Sequence, residues 1–180
     1  AAGGFVVMKA PVNRDGVADL TRLVDMLDPS VSLVSLMHVN NETGAVQPIR
    51  EAARLIRRHA PGAVLHVDAV QSFGKMPLNP SEEGMDLMTV SGHEIHGPKG
   101  IGFLYVRKGI RLSPLYGGGG QEQGLRPGTE NVPAVAGMAV AASCARESMA
   151  AACRHVQALR DRLAGTLSES GADWICISPP

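Results

Sequence analysis

Two short segments carry side chains whose types and spacing can do chemistry. His66-Val67-Asp68-Ala69-Val70-Gln71-Ser72 closes an apolar run with an acid and an amide three residues apart. Ser91-Gly92-His93-Glu94-Ile95-His96-Gly97-Pro98-Lys99-Gly100 gathers a hydroxyl, two imidazoles, a carboxylate and an ammonium into ten residues behind a second apolar run. An acid can hold a cationic atom of a ligand, and amide, hydroxyl and imidazole N–H or O–H groups can donate to an anionic one. A lone acid after a strand also serves as a helix cap or turn residue, so Asp68 by itself defines no site. A metal is not expected. The zinc-protease motif needs two histidines four apart on a helix, whereas His93 and His96 are three apart at a strand end.

The elements that must position these groups are legible as hydrophobic patterns. Apolar runs rich in β-branched residues at Phe5 to Met8, Val31 to Val39, Val64 to Val70, Asp86 to Val90 and Ile101 to Val106 predict buried strands. Helical patterns at Val17 to Leu27 and Ile49 to His59 lie between the early strands, the second opening after Pro48. This alternation predicts an α/β fold with a mixed, mostly parallel sheet flanked by helices. The last two strands are joined by a short turn of Gly and Pro with no room for a crossover helix, so that pair should be antiparallel. Open α/β sheets bind ligands along the C-terminal edge of their strands, where Asp68 and Gln71 fall.

From Pro133 to about Gly171 the pattern becomes one long Ala-rich helix, about 55 Å at 1.5 Å per residue. Val135, Met138, Ala142, Met149, Cys153, Val156, Leu159, Leu163 and Leu167 fall near one stripe of it. It is longer than the sheet it would pack on and is expected to reach toward a second unit, with Asp173 to Ile177 as that unit's first strand. The expected organisation is a partial ligand-binding domain over 1–132, a connecting helix over 133–170 and the start of a small domain over 171–180. Ala1 without an initiator Met, and an end just after Trp174-Ile175-Cys176-Ile177, read as a piece of a longer protein.

Composition narrows the function classes. With 180 residues and 44% hydrophobic content the chain can bury a core. Seventeen basic and seventeen acidic residues leave no net field for nucleic acid or an anionic membrane, so a small molecule or a protein is the expected partner. No apolar run is long enough to span a bilayer and no secretory signal opens the chain, which predicts a cytoplasmic or organellar-matrix location. Cys144, Cys153 and Cys176 form no disulfide framework. His38 and His66 read as strand-end or core histidines, and Arg54, Arg57, Arg58 and His59 as a solvated helix face. Gly117 to Gly120 reads by composition as a flexible linker.

Taken together, His38-Val39-Asn40-Asn41-Glu42-Thr43-Gly44, His66 to Gln71, Ser91 to Gly102 and Gly117 to Asn131 resemble, in order and spacing, the signature blocks of the cysteine desulfurases and selenocysteine lyases. These are class V aminotransferase relatives with the type I fold of pyridoxal phosphate (PLP) enzymes. The resemblance implies a partial PLP-transferase large domain in which Asp68 pairs with the pyridinium nitrogen and Gln71 meets the phenolic oxygen. Asn41 would lie beside the ring, and Ser91 and His93 would donate to the phosphate. Thr129, in Arg126-Pro127-Gly128-Thr129, would reach the phosphate of a neighbouring subunit, which implies a homodimer. The implied reaction is a PLP-dependent lyase or sulfurtransferase step that converts cysteine to alanine and passes sulfur to an acceptor protein, as in iron–sulfur cluster assembly.

One position departs from that pattern. Where the family carries its Schiff-base lysine, 26 residues after Asp68, this chain has Glu94. A carboxylate cannot form an imine, so the tether and the base that moves the α-proton are both lost, and a negative charge beside phosphate and phenolate repels. PLP binding is expected to be weak and non-covalent, and the chain to be inactive alone. Lys75 and Lys99 are not expected to substitute, because relatives that keep the anchor also carry lysines in those settings. Cys176 is not at the position of the family's persulfide-forming cysteine. The alternative expectation is a degenerate, non-catalytic relative that acts as a dimerising scaffold.

Overall fold

A computed structural model describes residues 4–171 and 173–179. Its sheet contains β1 (Leu33–Met37), β2 (Val64–Asp68), β3 (Leu87–Ser91) and β4 (Gly102–Val106) in that spatial order. β1, β2 and β3 are parallel, with Met37 beside Asp68 and Asp68 beside Thr89. β4 runs antiparallel to β3, so the mixed sheet expected from the short connection is present.

Among the described residues three α-helices accompany the sheet: α1 (Leu20–Asp25), α2 (Ile49–His59) and α3 (Val132–Glu169). Asp19 starts α1 by accepting the Thr21 and Arg22 N–H groups at 3.0 and 3.1 Å. α2 buries Ile49, Ala52, Ala53 and Ile56, the i, i+3, i+4, i+7 stripe of a helix lying on a sheet. Opposite it, Leu65 and Val67 of β2 are fully buried, and alternation along β2 leaves Asp68 half-buried at the strand end. Burying each of these large aliphatic side chains stabilises the fold by roughly 1.5–3 kcal/mol before entropy is counted.

A buried charge ties α2 to the sheet. Asp86, just ahead of β3, is 1% exposed and accepts from Arg57 Nη2 at 2.6 Å, Arg107 Nε at 2.6 Å and the Leu65 N–H at 2.7 Å. Arg57 therefore belongs to a structural clamp, which corrects its reading as part of a solvated face. Burial alone would raise the Asp86 pKa, but the Leu65, Arg107 and Arg57 bonds outweigh it and hold the carboxyl below the usual carboxylate value.

Between β3 and β4 the chain makes a 3-10 turn over Gly92–Ile95 and leaves it through His96 in the left-handed region, φ 65°. Gly102 opens β4 against the Val90 carbonyl so closely that a Cβ there has no room.

Several expected elements are shorter or absent. Phe5, Val6, Val7 and Met8 form no strand and are exposed, and Asp173 to Ile177 form none either, with Ile175 and Ile177 exposed. An apolar run becomes a strand only where a neighbouring strand accepts its hydrogen bonds, and neither run has one among the described residues. The helix expected from Val17 is capped later, at Asp19. α3 has the expected length, but of its stripe only Met138 is buried, while Val135, Val156, Leu159 and Leu163 are exposed.

Candidate cofactor site

β1, β2 and β3 point their C-terminal ends to one edge of the sheet, and the chemistry-bearing residues collect there. The Asp68 carboxylate accepts the Val70 N–H at 3.0 Å, turning the chain out of β2. A run of tight turns follows, pinned by the Ala69 carbonyl, which accepts the Ser72 and Phe73 N–H groups at 3.1 and 2.9 Å. These turns carry Gln71 and Lys75. Gly74 has φ +75°, and a Cβ on it would stand 2.8 Å from Ile95 Cγ2, so this segment packs directly on the 3-10 turn that carries His93 and Glu94.

The result is an unbroken polar chain. Lys75 Nζ donates to Gln71 Oε1 at 2.9 Å and lies 3.6 Å from Glu94 Oε2. Glu94 Oε1 is 3.4 Å from His93 Nε2, and His93 Nδ1 is 2.8 Å from Ser91 Oγ. The structure thus brings Gln71, Ser91, His93 and Glu94 together beside the end of β2 that holds Asp68. Lys75 is the member that sequence reasoning set aside. Its i, i+4 relation to Gln71 was the available signal, usable only if the turn were known to be helical in pitch.

Asn41 and Thr129 stand apart from this network. Asn41 is exposed in the turn after β1, a turn built by its neighbour Asn40, whose Oδ1 accepts the Glu42 and Thr43 N–H groups at 3.0 and 2.9 Å. Thr129 is exposed on the 117–131 loop, where Gln121 Oε1 accepts the Gly128 N–H at 3.2 Å. That loop is folded by its own contacts and is more than a linker.

Two further histidines sit behind the edge. His66 Nδ1 meets Ser35 Oγ at 2.8 Å, and burial lowers its pKa while the Asp68 charge partly opposes that shift. His38 is buried with Nδ1 3.0 Å from Ser72 Oγ and Nε2 3.8 Å from Glu83 Oε2. Burial lowers the His38 pKa, with Glu83 acting the other way. Ser, His and Glu in line resemble a nucleophile, base and orienting acid. However, Ser72 is 0% exposed and its hydroxyl also reaches the Ala69 carbonyl at 3.2 Å, so the trio ties turns together.

An open α/β sheet with an acid, an amide and a Ser–His pair on its C-terminal edge has its polar side chains where open α/β sheets commonly bind ligands. Residues 1–175 match the family described as aminotransferase class-V, and the chain belongs to that family. It is 47% identical over 164 residues to a cysteine desulfurase of Nostoc sp. (strain PCC 7120 / SAG 25.82 / UTEX 2576), covering 91% of this chain and 40% of that protein. It is 43% identical over 169 residues to cysteine desulfurase NifS of Azotobacter vinelandii, covering 93% and 42%. A solved NifS-like protein superposes with a TM-score of 0.93 at 41% identity, over 98% of this chain and 48% of that one. The chain thus spans less than half the length of these relatives. The family is PLP-dependent. No helix among the described residues is long and apolar enough to cross a membrane.

Proposed function

We propose that this chain forms the PLP-holding edge of a cysteine desulfurase-like protein in which Glu94 has replaced the covalent anchor. The observation that carries the reading is the polar chain from Gln71 through Lys75, Glu94 and His93 to Ser91, at the same sheet edge where β2 ends in Asp68. The donor set fits the cofactor's three polar features. Asp68 balances a protonated ring nitrogen, Gln71 meets the phenolic oxygen, and Ser91 with His93 donates to the phosphate. Asn41 lies beside the ring, and Thr129 of a second copy completes the phosphate site, so the functional unit is a homodimer. The bound cofactor supplies an electron sink for amino-acid substrates. What does not fit is position 94, since a carboxylate offers neither the imine nitrogen nor a base of the right kind.

The chain therefore holds PLP without by itself turning cysteine into alanine or passing sulfur to an acceptor protein. The Lys75–Glu94 ion pair supports a second reading, a non-catalytic scaffold in which the old anchor position is closed by a salt bridge. Pyridoxine phosphate separates the two. It carries an alcohol in place of the aldehyde and binds only through the non-covalent cradle. Saturable binding by equilibrium dialysis, weakened roughly tenfold or more in Asp68→Asn by loss of a charge-assisted bond, is the expected result. Absence of saturable binding overturns the cofactor reading in favour of the scaffold.

A further inference from the structure

We propose that Lys75 is the amine that captures the aldehyde of PLP at this edge, in place of the side chain lost at position 94. The inference rests on the cofactor reading above and goes beyond it by naming a covalent site.

Placement is the argument. In PLP the phenolic oxygen and the aldehyde stand on adjacent ring carbons, so a side chain that meets the phenolic oxygen borders the aldehyde. Gln71 is that side chain, and Lys75 Nζ already lies 2.9 Å from its Oε1. The same nitrogen is 3.6 Å from Glu94, the residue standing where the anchor would be. The juxtaposition is built into the backbone, because Gly74 packs against Ile95 with no space for a side chain. All four lysines of the chain are exposed, but no hydrogen bond or ion pair joins Lys9, Lys99 or Lys108 to the edge residues, as those of Lys75 do. A side chain four bonds long and 44% exposed is also free to swing the last few ångströms to a ligand.

The step needs the amine as a free base, so Lys75 gives one ammonium proton to solvent before it reacts. The freed nitrogen lone pair adds to the aldehyde carbon while the carbonyl oxygen takes up the electrons of the C=O π bond. That oxygen then leaves as water, carrying one proton from solvent and a second one from the nitrogen. One C=N bond replaces one C=O bond, one water is released, and nothing is oxidised or reduced. The lost lysine is thus answered by a neighbouring lysine that supplies the nitrogen.

The test treats the full 180-residue chain with equimolar PLP, reduces it with borohydride and maps the modified lysines by peptide mass spectrometry. Label at Lys75 should exceed that at each of Lys9, Lys99 and Lys108 by about tenfold or more, the advantage of an amine held beside the aldehyde. Lys75→Arg should abolish the selective label and keep pyridoxine phosphate binding. Label spread evenly over the lysines, or concentrated on Lys99, overturns the inference, as does bound pyridoxine phosphate with no reducible label. Those outcomes leave the cofactor reading standing, whereas failure of pyridoxine phosphate to bind removes both.

Discussion

The Lys75 ammonium stands 3.6 Å from the carboxylate of Glu94, with side chains 44% and 29% exposed. At that exposure the pair contributes at most about 1 kcal/mol to stability. Its importance is positional, because it sets a carboxylate beside Lys75 at the position where the resemblance implies an anchoring amine.

Glu94→Lys exchanges that attraction for repulsion between two ammonium groups. Without ligand the variant should lose up to about 1 kcal/mol, more at low salt than at high. With PLP at about a hundred times the variant's dissociation constant, binding should add about 2.7 kcal/mol to its stability. Urea denaturation with and without PLP checks both halves. A variant that PLP does not stabilise shows the cradle to be misplaced.

Asp86→Asn should destabilise by about 3 kcal/mol, because it leaves two guanidinium groups facing a carbonyl where a charge had held them. The folded-state pKa of Asp86 is depressed, so its contribution is fully present above the unfolded value of about 3.9 and fades as pH falls through the lower folded value. Wild-type stability should therefore decline below about pH 4, and the Asn variant should lack that part of the decline. Thermal melts from neutral pH downward measure it.

His38 also has a depressed folded-state pKa, through burial, which Glu83 only partly offsets. Here the neutral imidazole is the native form. Stability should be highest above the unfolded value of about 6.5 and fall as pH drops toward the folded value. His38→Gln should reduce that slope without abolishing it, because His66 is shifted in the same direction. An unchanged slope between about pH 6.5 and 5 excludes His38 as a contributor.

Gly102→Ala should cost about 1–3 kcal/mol by forcing β4 away from the Val90 carbonyl. Tm and the near-ultraviolet signal of the Phe73–Phe103 edge contact, with ring centroids 5.4 Å apart, report the separation.

The best-read elements were those whose limits are set by their own residues. α2 spans the expected Ile49–His59 because Pro48 opens it, its buried positions repeat at helical spacing, and Pro61 lies just beyond its end. The antiparallel turn of β4 onto β3 followed from loop length alone. What failed to show in the sequence depends on distant partners. Phe5 to Met8 are strand-like in composition, yet no neighbouring edge meets them among the described residues. The charge on Arg57 looked solvated because its partner, Asp86, is 29 residues away. At the sheet edge, motif order singles out Gln71, Ser91 and His93, which meet in one polar network. The position of Lys75 was not legible, since it depends on how the Gly74 turn stacks on Ile95.

α3 is held to the body near its start by Met138 and, at Cys153, by a thiol that meets the Lys75 carbonyl at 2.8 Å, after which residues 154–163 are exposed on every side. Mechanically it is a lever whose fulcrum touches the backbone of a site residue. The span from Cys153 to Glu169 is about 24 Å at 1.5 Å per residue, so tilting the root by about 5° sweeps the tip through roughly 2 Å. The Cys153 contact thus ties the position of this helix to the peptide that bears Lys75.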